Sequence, residues 1–148
     1  MIAVNPNHIN VTPPFVPAEA LKVLAVGAVK SDETYATFSS IGPSFDGRIK
    51  PDIAGDGAGV FSTLDNSNSS YGTLDGTSMS SPNVSGSLLL LQQYYNSLNS
   101  QYMKAATLKG LVCHTADDDA INVGPDPFFG WGLLNSKAAA ETILNDTN

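Results

Sequence analysis

The stretch that decides the fold runs Gly76-Thr77-Ser78-Met79-Ser80-Ser81-Pro82-Asn83-Val84-Ser85-Gly86. It joins a glycine-containing loop to a helix, because apolar residues from Val84 to Leu98 recur every three or four positions. Pro82 falls near the start of that helix, where its missing N–H costs little. The sequence therefore predicts that Ser78 lies on the first helical turn, among backbone N–H groups that have no partner within the helix.

Two interpretations of Ser78 follow from this position. Its hydroxyl can face solvent and attack a carbonyl, while its own N–H and the positive end of the helix dipole stabilise the resulting oxyanion. Gly76 would leave room for a substrate backbone to approach. Serine is also among the residues that most often cap a helix N-terminus, with no chemistry at all. The residues alone leave both interpretations open.

The surrounding chain alternates strands with helices. The continuous apolar run Val23–Val29 is typical of a strand buried on both faces of a parallel sheet, and residues 60–64 form a second strand candidate. We expect a glycine loop over residues 55–59, between the two strand candidates. A polar loop over residues 65–72 is expected after the second strand candidate. Helices are predicted over 103–116 and from the cap Asn135 to Leu144. This alternation indicates an α/β layered fold, preceded by an irregular leader over residues 1–21.

Composition excludes several classes of protein. The chain has 148 residues, with 14 Asp plus Glu against 7 Lys plus Arg, for a net charge of −7. Nucleic acid is excluded as the main partner, because phosphate binding requires clustered Lys and Arg. No stretch approaches the ~20 apolar residues of a membrane span, and residues 1–10 lack the pattern of a secretory signal. The length permits one domain or part of a larger one.

Several segments resemble the subtilisin-like serine proteases, the subtilases, and they occur in the order of that family. The stretch 76–86 resembles its nucleophile motif, which usually reads Gly-Thr-Ser-Met-Ala-x-Pro-His-Val-Ala-Gly. The other matching segments are residues 26–29, 38–43, 47–53 and 129–135. The resemblance covers roughly residues 22–144. It implies that residues 22–148 form the C-terminal portion of a three-layer α/β/α fold with a mostly parallel sheet.

The resemblance also implies roles for individual residues. Ser78 would be the catalytic nucleophile, and its backbone N–H one oxyanion donor. Met79 would pack beside that nucleophile. The residues implied for substrate binding, on the leaving-group side of the cleft, are Leu74, Asp75, Gly76, Thr77 and Met79.

The partners of a subtilase serine are absent from this sequence. The family's Asp-Ser/Thr-Gly and His-Gly-Thr-His motifs, which carry the catalytic Asp and His, do not occur. The Ala-Ala-Gly-Asn segment that carries the family's oxyanion asparagine is also absent, so neither Asn5 nor Asn7 is assigned that role. His8 is expected in a surface loop, and His114 near a helix end, where dipole attraction explains it. Because a serine hydroxyl without a general base is a poor nucleophile, the chain alone is predicted to be inactive.

No metal or cofactor is assigned with certainty. The family resemblance allows structural calcium, and the acidic segments are Gly55-Asp56-Gly57 and Asp117-Asp118-Asp119. Neither has calcium-ligand spacing, so a solvated turn and a solvated helix end are favoured. Cys113, the one cysteine, is interpreted as a buried structural thiol.

The favoured hypothesis is a fragment of a serine endopeptidase that acts on peptides or proteins. Its Asp and His would come from an N-terminal part of the catalytic domain. A cut sheet would leave an open edge and an apolar face, which predicts self-association. The alternative is a non-catalytic subtilase-like module that binds a peptide or a partner chain. A third hypothesis, an unrelated serine dyad, needs a Lys or His near Ser78, and no neighbouring position offers one. By resemblance, the location is extracellular or periplasmic.

Overall fold

The computed structural model describes residues 2–3, 20–119 and 123–146. The strands are β1 (Ile2–Ala3), β2 (Ala25–Val29), β3 (Ile53–Asp56), β4 (Val60–Thr63) and β5 (Tyr71–Leu74). The helices are α1 (Thr77–Asn99), α2 (Ala105–His114) and α3 (Ser136–Asp146). No helix within these residues is both long and apolar enough to cross a membrane.

The main sheet is parallel and has the order β1-β2-β3. All five residues of β2 are buried, as its continuous apolar run predicts. In the register of the sheet, Val26 pairs with Ile53 and Gly27 with Ala54. Helix α1 packs across this sheet and also against α3. The prediction of an α/β fold with a parallel sheet is confirmed.

Helix α1 supplies one side of the core. Val84 is fully buried and Leu91 nearly so, as the predicted spacing requires. The same cluster contains residues from β2, β3, the other two helices and the segments just before β2 and α2: Leu24, Val26, Ile53, Met103, Val112, Ala139 and Ile143. The predicted cap of the last helix is also present, because the Asn135 side-chain oxygen accepts the Ala138 N–H at 2.8 Å.

Two strands differ from the sequence-based expectation. The predicted glycine loop is wrong at residues 55 and 56, where β3 continues through Asp56. Gly55 serves close packing instead of a turn, since a Cβ there would lie 2.6 Å from Val84 Cγ2. The strand predicted near residue 60 exists as β4, but it pairs antiparallel with β5 and stands apart from the main sheet. Strand β5 begins at Tyr71, inside the predicted polar loop.

The leader is not irregular throughout. Ile2 and Ala3 form β1 and pair in parallel with Ala25 and Val26 of β2. The remainder of the predicted leader, residues 4–19, lies outside the described residues together with His8, Asn5 and Asn7. Within the described part of the chain, β1 therefore belongs to the same sheet as the strands that follow it.

The outer edge of β3 is covered by the segment that precedes α3. The Ala54 N–H donates to the Gly132 carbonyl at 2.9 Å, and the Leu134 N–H donates to the Ala54 carbonyl at 3.0 Å. This bridge satisfies backbone groups that an edge strand would otherwise leave unpaired. The open edge predicted from the sequence is therefore not on the β3 side.

A buried carboxylate joins three parts of the fold. Asp52 is 6% exposed and accepts hydrogen bonds from the Ala25 N–H at 2.7 Å and the Lys50 ammonium at 2.6 Å. The Lys109 ammonium of α2 binds the second Asp52 oxygen at 2.8 Å. This network connects β2, the entry to β3, and α2.

Candidate active site

The connection from β5 to α1 brings Ser78 to the first turn of the helix. Gly76 is the N-cap residue, with φ 151° and ψ 156°, and no side chain caps the helix. This φ lies in the region that favours glycine. Ser78 is the second residue of the helix, so the interpretation of Ser78 as a plain N-cap is wrong.

The Ser78 side chain is exposed. Within the described part of the chain, neither its hydroxyl nor its backbone N–H makes a hydrogen bond. Such an N–H is expected at a helix start, because it has no carbonyl four residues before it in the helix. A donor and a nucleophilic oxygen are therefore presented together at the positive end of a 23-residue helix.

The turn that holds Ser78 rests directly on β3 and the residues after it. The Gly76 N–H donates to the Gly57 carbonyl at 2.8 Å, and the Met79 N–H donates to the Gly76 carbonyl at 2.9 Å. Ser80, fully buried, reaches carbonyl oxygens of two strands. The turn that carries Ser78 is thus held against the sheet, while the exposed Ser78 side chain faces solvent.

The residues predicted to bind substrate surround this turn, with different exposure. Leu74 and Asp75 are exposed, and the Asp75 carboxylate accepts the Gly59 N–H at 2.6 Å across the hairpin. Gly76 and Met79 are half-buried, and the Met79 sulfur lies 3.5 Å from the position of a Cβ on Gly76. Thr77 is 7% exposed, so a substrate contact at this position would have to use its backbone.

No general base accompanies Ser78 among the described residues. His114 is the last residue of α2, at the helix end where the sequence predicts it, and it makes no hydrogen bond with Ser78. The geometry therefore presents an exposed hydroxyl beside an unpaired N–H, and none of the described residues is placed to accept the Ser78 proton.

The acidic segments are engaged in local hydrogen bonds. Within residues 2–3, 20–119 and 123–146, no group of three His, Cys, Asp or Glu side chains could hold a metal ion. Asp117 lies exposed just beyond the end of α2, and both its carboxylate oxygens accept hydrogen bonds from the Asn135 amide, at 3.0 and 2.9 Å. Its backbone also pairs with Leu133. Asp117 therefore anchors the segment that leads into α3.

Cys113 has the environment of a structural thiol. It is half-buried, and its sulfur lies 3.9 Å from the Asp52 carbonyl oxygen. Burial, with a smaller contribution from the Asp52 charge, raises the pKa of the Cys113 thiol to about 11. The thiol therefore stays protonated and unreactive near neutral pH.

A separate cleft of about 290 Å³ lies at the carboxyl ends of β2 and β3. Its lining includes Val29, Lys30, Asp56 and Leu133, and none of the predicted site residues. The cleft is thus distinct from the turn that carries Ser78.

Comparison with known proteins places the chain in a family. Residues 5–132 match the model of the subtilase family, and the chain belongs to this family of serine proteases. The match extends upstream of residue 22, into the segment expected to be a leader.

Individual relatives agree with this assignment. The chain is 33% identical to subtilisin DY of Bacillus licheniformis over 125 residues, which cover 84% of this chain and 39% of that protein. It is 32% identical to subtilisin NAT of Bacillus subtilis subsp. natto over 126 residues, covering 84% of this chain and 28% of the relative. The structure of the Clostridium perfringens CspB protease superposes with a TM-score of 0.81 at 25% identity, over 91% of this chain and 29% of that one. The chain therefore spans between 28% and 39% of these proteins.

Sequence reasoning missed one component of the site. Ser80 lies inside the quoted motif, and its contact with β2 and β3 was not predicted. The feature of the sequence that could have indicated this contact is a serine where the subtilase motif usually has alanine. Its partners, Gly27 and Gly55, are 53 and 25 residues away in the sequence, so local patterns do not indicate them.

Proposed function

We propose that this chain is the C-terminal part of a subtilase peptidase, and that Ser78 attacks the scissile carbonyl of a peptide. The observation that carries the proposal is the exposed Ser78, whose hydroxyl and N–H are both without partners among the described residues. In the acylation step, the Ser78 oxygen bonds to the carbonyl carbon and its proton passes to a base. The base then returns the proton to the amide nitrogen, the scissile C–N bond breaks, and the amine half of the peptide leaves while the acyl half stays bonded to Ser78. The Ser78 N–H donates to the oxyanion, which the dipole of α1 also stabilises.

The base would come from an N-terminal part that carries the Asp and His of the family. Serine needs an adjacent base to become a strong nucleophile, and none of the described residues supplies it. The chain by itself is therefore proposed to be inactive, and the two parts together to be a serine endopeptidase.

The outer face of α1 supports such a partner. None of the 23 residues of this helix is charged, and Leu89 and Leu90 on its outer side are 71% and 67% exposed. A surface helix normally carries charged and polar residues on its solvent side, whereas this side of α1 exposes two adjacent leucines and no charge. We therefore assign this face to contact with the N-terminal part. When that part is absent, the same face would drive self-association.

Substrate contacts follow from the exposed residues beside the nucleophile. Leu74 and Asp75 flank Ser78 on one side, and half-buried Met79 lies on the other. This set would bind the leaving-group side of a peptide or protein substrate. Structural calcium and an extracellular or periplasmic location remain part of the proposal, on family grounds.

The second candidate function is a non-catalytic module that binds a peptide or partner chain. The lack of any base bonded to Ser78 among the described residues favours it. Reading the DNA upstream of Met1 discriminates the two. An open frame that encodes Asp and His motifs supports the peptidase.

A labelling experiment tests the catalytic role directly. The chain and the separately expressed upstream part are mixed and exposed to a serine-reactive fluorophosphonate. We expect labelling that needs both parts, disappears in Ser78→Ala, and persists in the matched variant Ser87→Ala. A folded complex that does not label contradicts the peptidase, and saturable peptide binding by that complex would then favour the binding module.

A further inference from the structure

Ser80 joins the first turn of α1 to strands β2 and β3 of the sheet. Its hydroxyl oxygen lies 2.7 Å from the Gly27 carbonyl oxygen on β2 and 2.8 Å from the Gly55 carbonyl oxygen on β3. A hydroxyl carries one proton, so the two carbonyls share a single donor. Because Ser80 has no exposed surface, water cannot replace this donor without a change in structure.

Glycines make this close approach feasible. A Cβ on Gly55 would lie 3.2 Å from the Ser80 hydroxyl oxygen, and a Cβ on Gly57 would lie 2.9 Å from the Ser80 Cβ. The Gly57 carbonyl in turn accepts the Gly76 N–H at 2.8 Å. The helix start therefore sits on the strand backbone itself, with no intervening side chain from the strand.

We propose that Ser80 is a positioning residue for Ser78. Its hydrogen bonds to β2 and β3 fix the distance and the orientation of the first helical turn relative to the sheet. Ser78, two residues earlier, therefore holds its hydroxyl and N–H in one orientation. Ser80 acts through Ser78, because its complete burial prevents contact with a substrate. The catalytic consequence rests on the proposed function, whereas the fixing of the turn does not.

Amide hydrogen exchange tests the fixing of the turn in the chain alone. The Met79 and Ser80 N–H groups bond to the Gly76 carbonyl at 2.9 and 3.3 Å and report on this turn. In Ser80→Ala we expect about 5- to 10-fold faster exchange of these two amides, and less than about a twofold change at Leu91 in the middle of α1.

The matched control is Ser87→Ala, which removes a hydroxyl bonded to the Asn83 carbonyl at 3.2 Å in the same helix, away from the strands. It should leave the Met79 and Ser80 amides unchanged. A uniform acceleration along α1, or none at all, would overturn the proposal, since the role would then be general stability or nothing. Ser80→Cys, whose thiol is a weaker donor, should be intermediate, and the same criteria apply to it if Ser80→Ala does not fold.

Reactivity in the two-part complex tests the consequence for Ser78. Ser80→Ala should lower the rate of fluorophosphonate labelling at saturating probe by roughly tenfold, with the half-saturating concentration changed by less than about twofold. Equal labelling of Ser80→Ala and the unmodified chain would overturn the positioning role. If the unmodified complex does not label, the proposed function fails, while the exchange measurement still decides whether Ser80 fixes the turn.

Discussion

The ammonium of Lys109 lies 2.8 Å from a carboxylate oxygen of Asp52, although the two residues are 57 positions apart in the sequence. The same ammonium donates to the Val23 carbonyl at 2.7 Å, and Lys50 binds the other Asp52 oxygen at 2.6 Å. Helix α2 is therefore attached to the sheet by a charged network as well as by apolar packing.

Asp52→Asn should destabilise the chain strongly. The substitution leaves the buried Lys50 and the partly buried Lys109 without a counter-charge, and removing one partner of a buried pair typically costs about 3–5 kcal/mol. Urea unfolding followed by circular dichroism measures the change. Asp46→Asn is the control, because Asp46 pairs with Arg48 at 2.8 Å on the surface, where solvent screens the pair and its loss should change stability far less. Equal losses for the two variants would contradict the role of the network.

Cys113 should react slowly with iodoacetamide in the folded chain. Its pKa of about 11 against an ordinary value of 9.0 lowers the thiolate fraction by about 100-fold at pH 8. The alkylation rate should rise with pH until the pH approaches 11. Because the folded-state pKa is raised, the stability linked to this thiol is present below pH 9 and is lost as the pH rises toward 11. The urea-unfolded chain is the reference, and equal rates in the two states would refute the shift.

Replacing glycine by alanine should lower the stability of the chain at Gly57 and raise it at Gly86. In Gly57→Ala the new Cβ would lie 2.9 Å from each of three neighbours, the Ala28 Cβ, the Gly76 carbonyl oxygen and the Ser80 Cβ, which predicts about 1–3 kcal/mol of destabilisation. In Gly86→Ala the new Cβ meets nothing within 4 Å, so the better helix propensity of alanine should stabilise α1 by up to about 1 kcal/mol. Thermal unfolding of the two variants checks the prediction, which is wrong if both shift in the same direction.

The uncharged face of α1 should control association. Replacing both Leu89 and Leu90 by Glu places two charges on this face and should shift the chain toward monomer in sedimentation velocity. It should also prevent complex formation with the proposed N-terminal part of the peptidase. Leu144→Glu, at a 43% exposed leucine of α3, is the control and should leave both properties unchanged. If the Leu89 and Leu90 variant still associates, a different surface is responsible.

Local patterns in the sequence predict the elements whose burial is periodic or continuous. The apolar run that becomes β2, the spacing of Val84 and Leu91, and the Asn135 cap are of this kind. Strand β3 is missed by the sequence reading, because Gly55 resembles a turn residue while it actually makes room for α1. Strand β5 is exposed at most positions and gives no apolar pattern.

In the candidate site, too, local features could be predicted from the sequence and long-range contacts could not. The place of Ser78 on the helix follows from the motif, because proline, glycine and apolar periodicity are local properties. The bonds of Ser80 to β2 and β3, and of Lys109 to Asp52, join distant parts of the chain. Composition and spacing do not report such pairings, which only the folded arrangement determines.

The bridge between Ala54 and Leu133 has a consequence for assembly. Because residues 132–134 already occupy the outer edge of β3, the chain terminates its own sheet on that side. A polypeptide that pairs with β3 on that side would first have to displace residues 132–134, so this segment protects the described sheet from edge-to-edge pairing at β3.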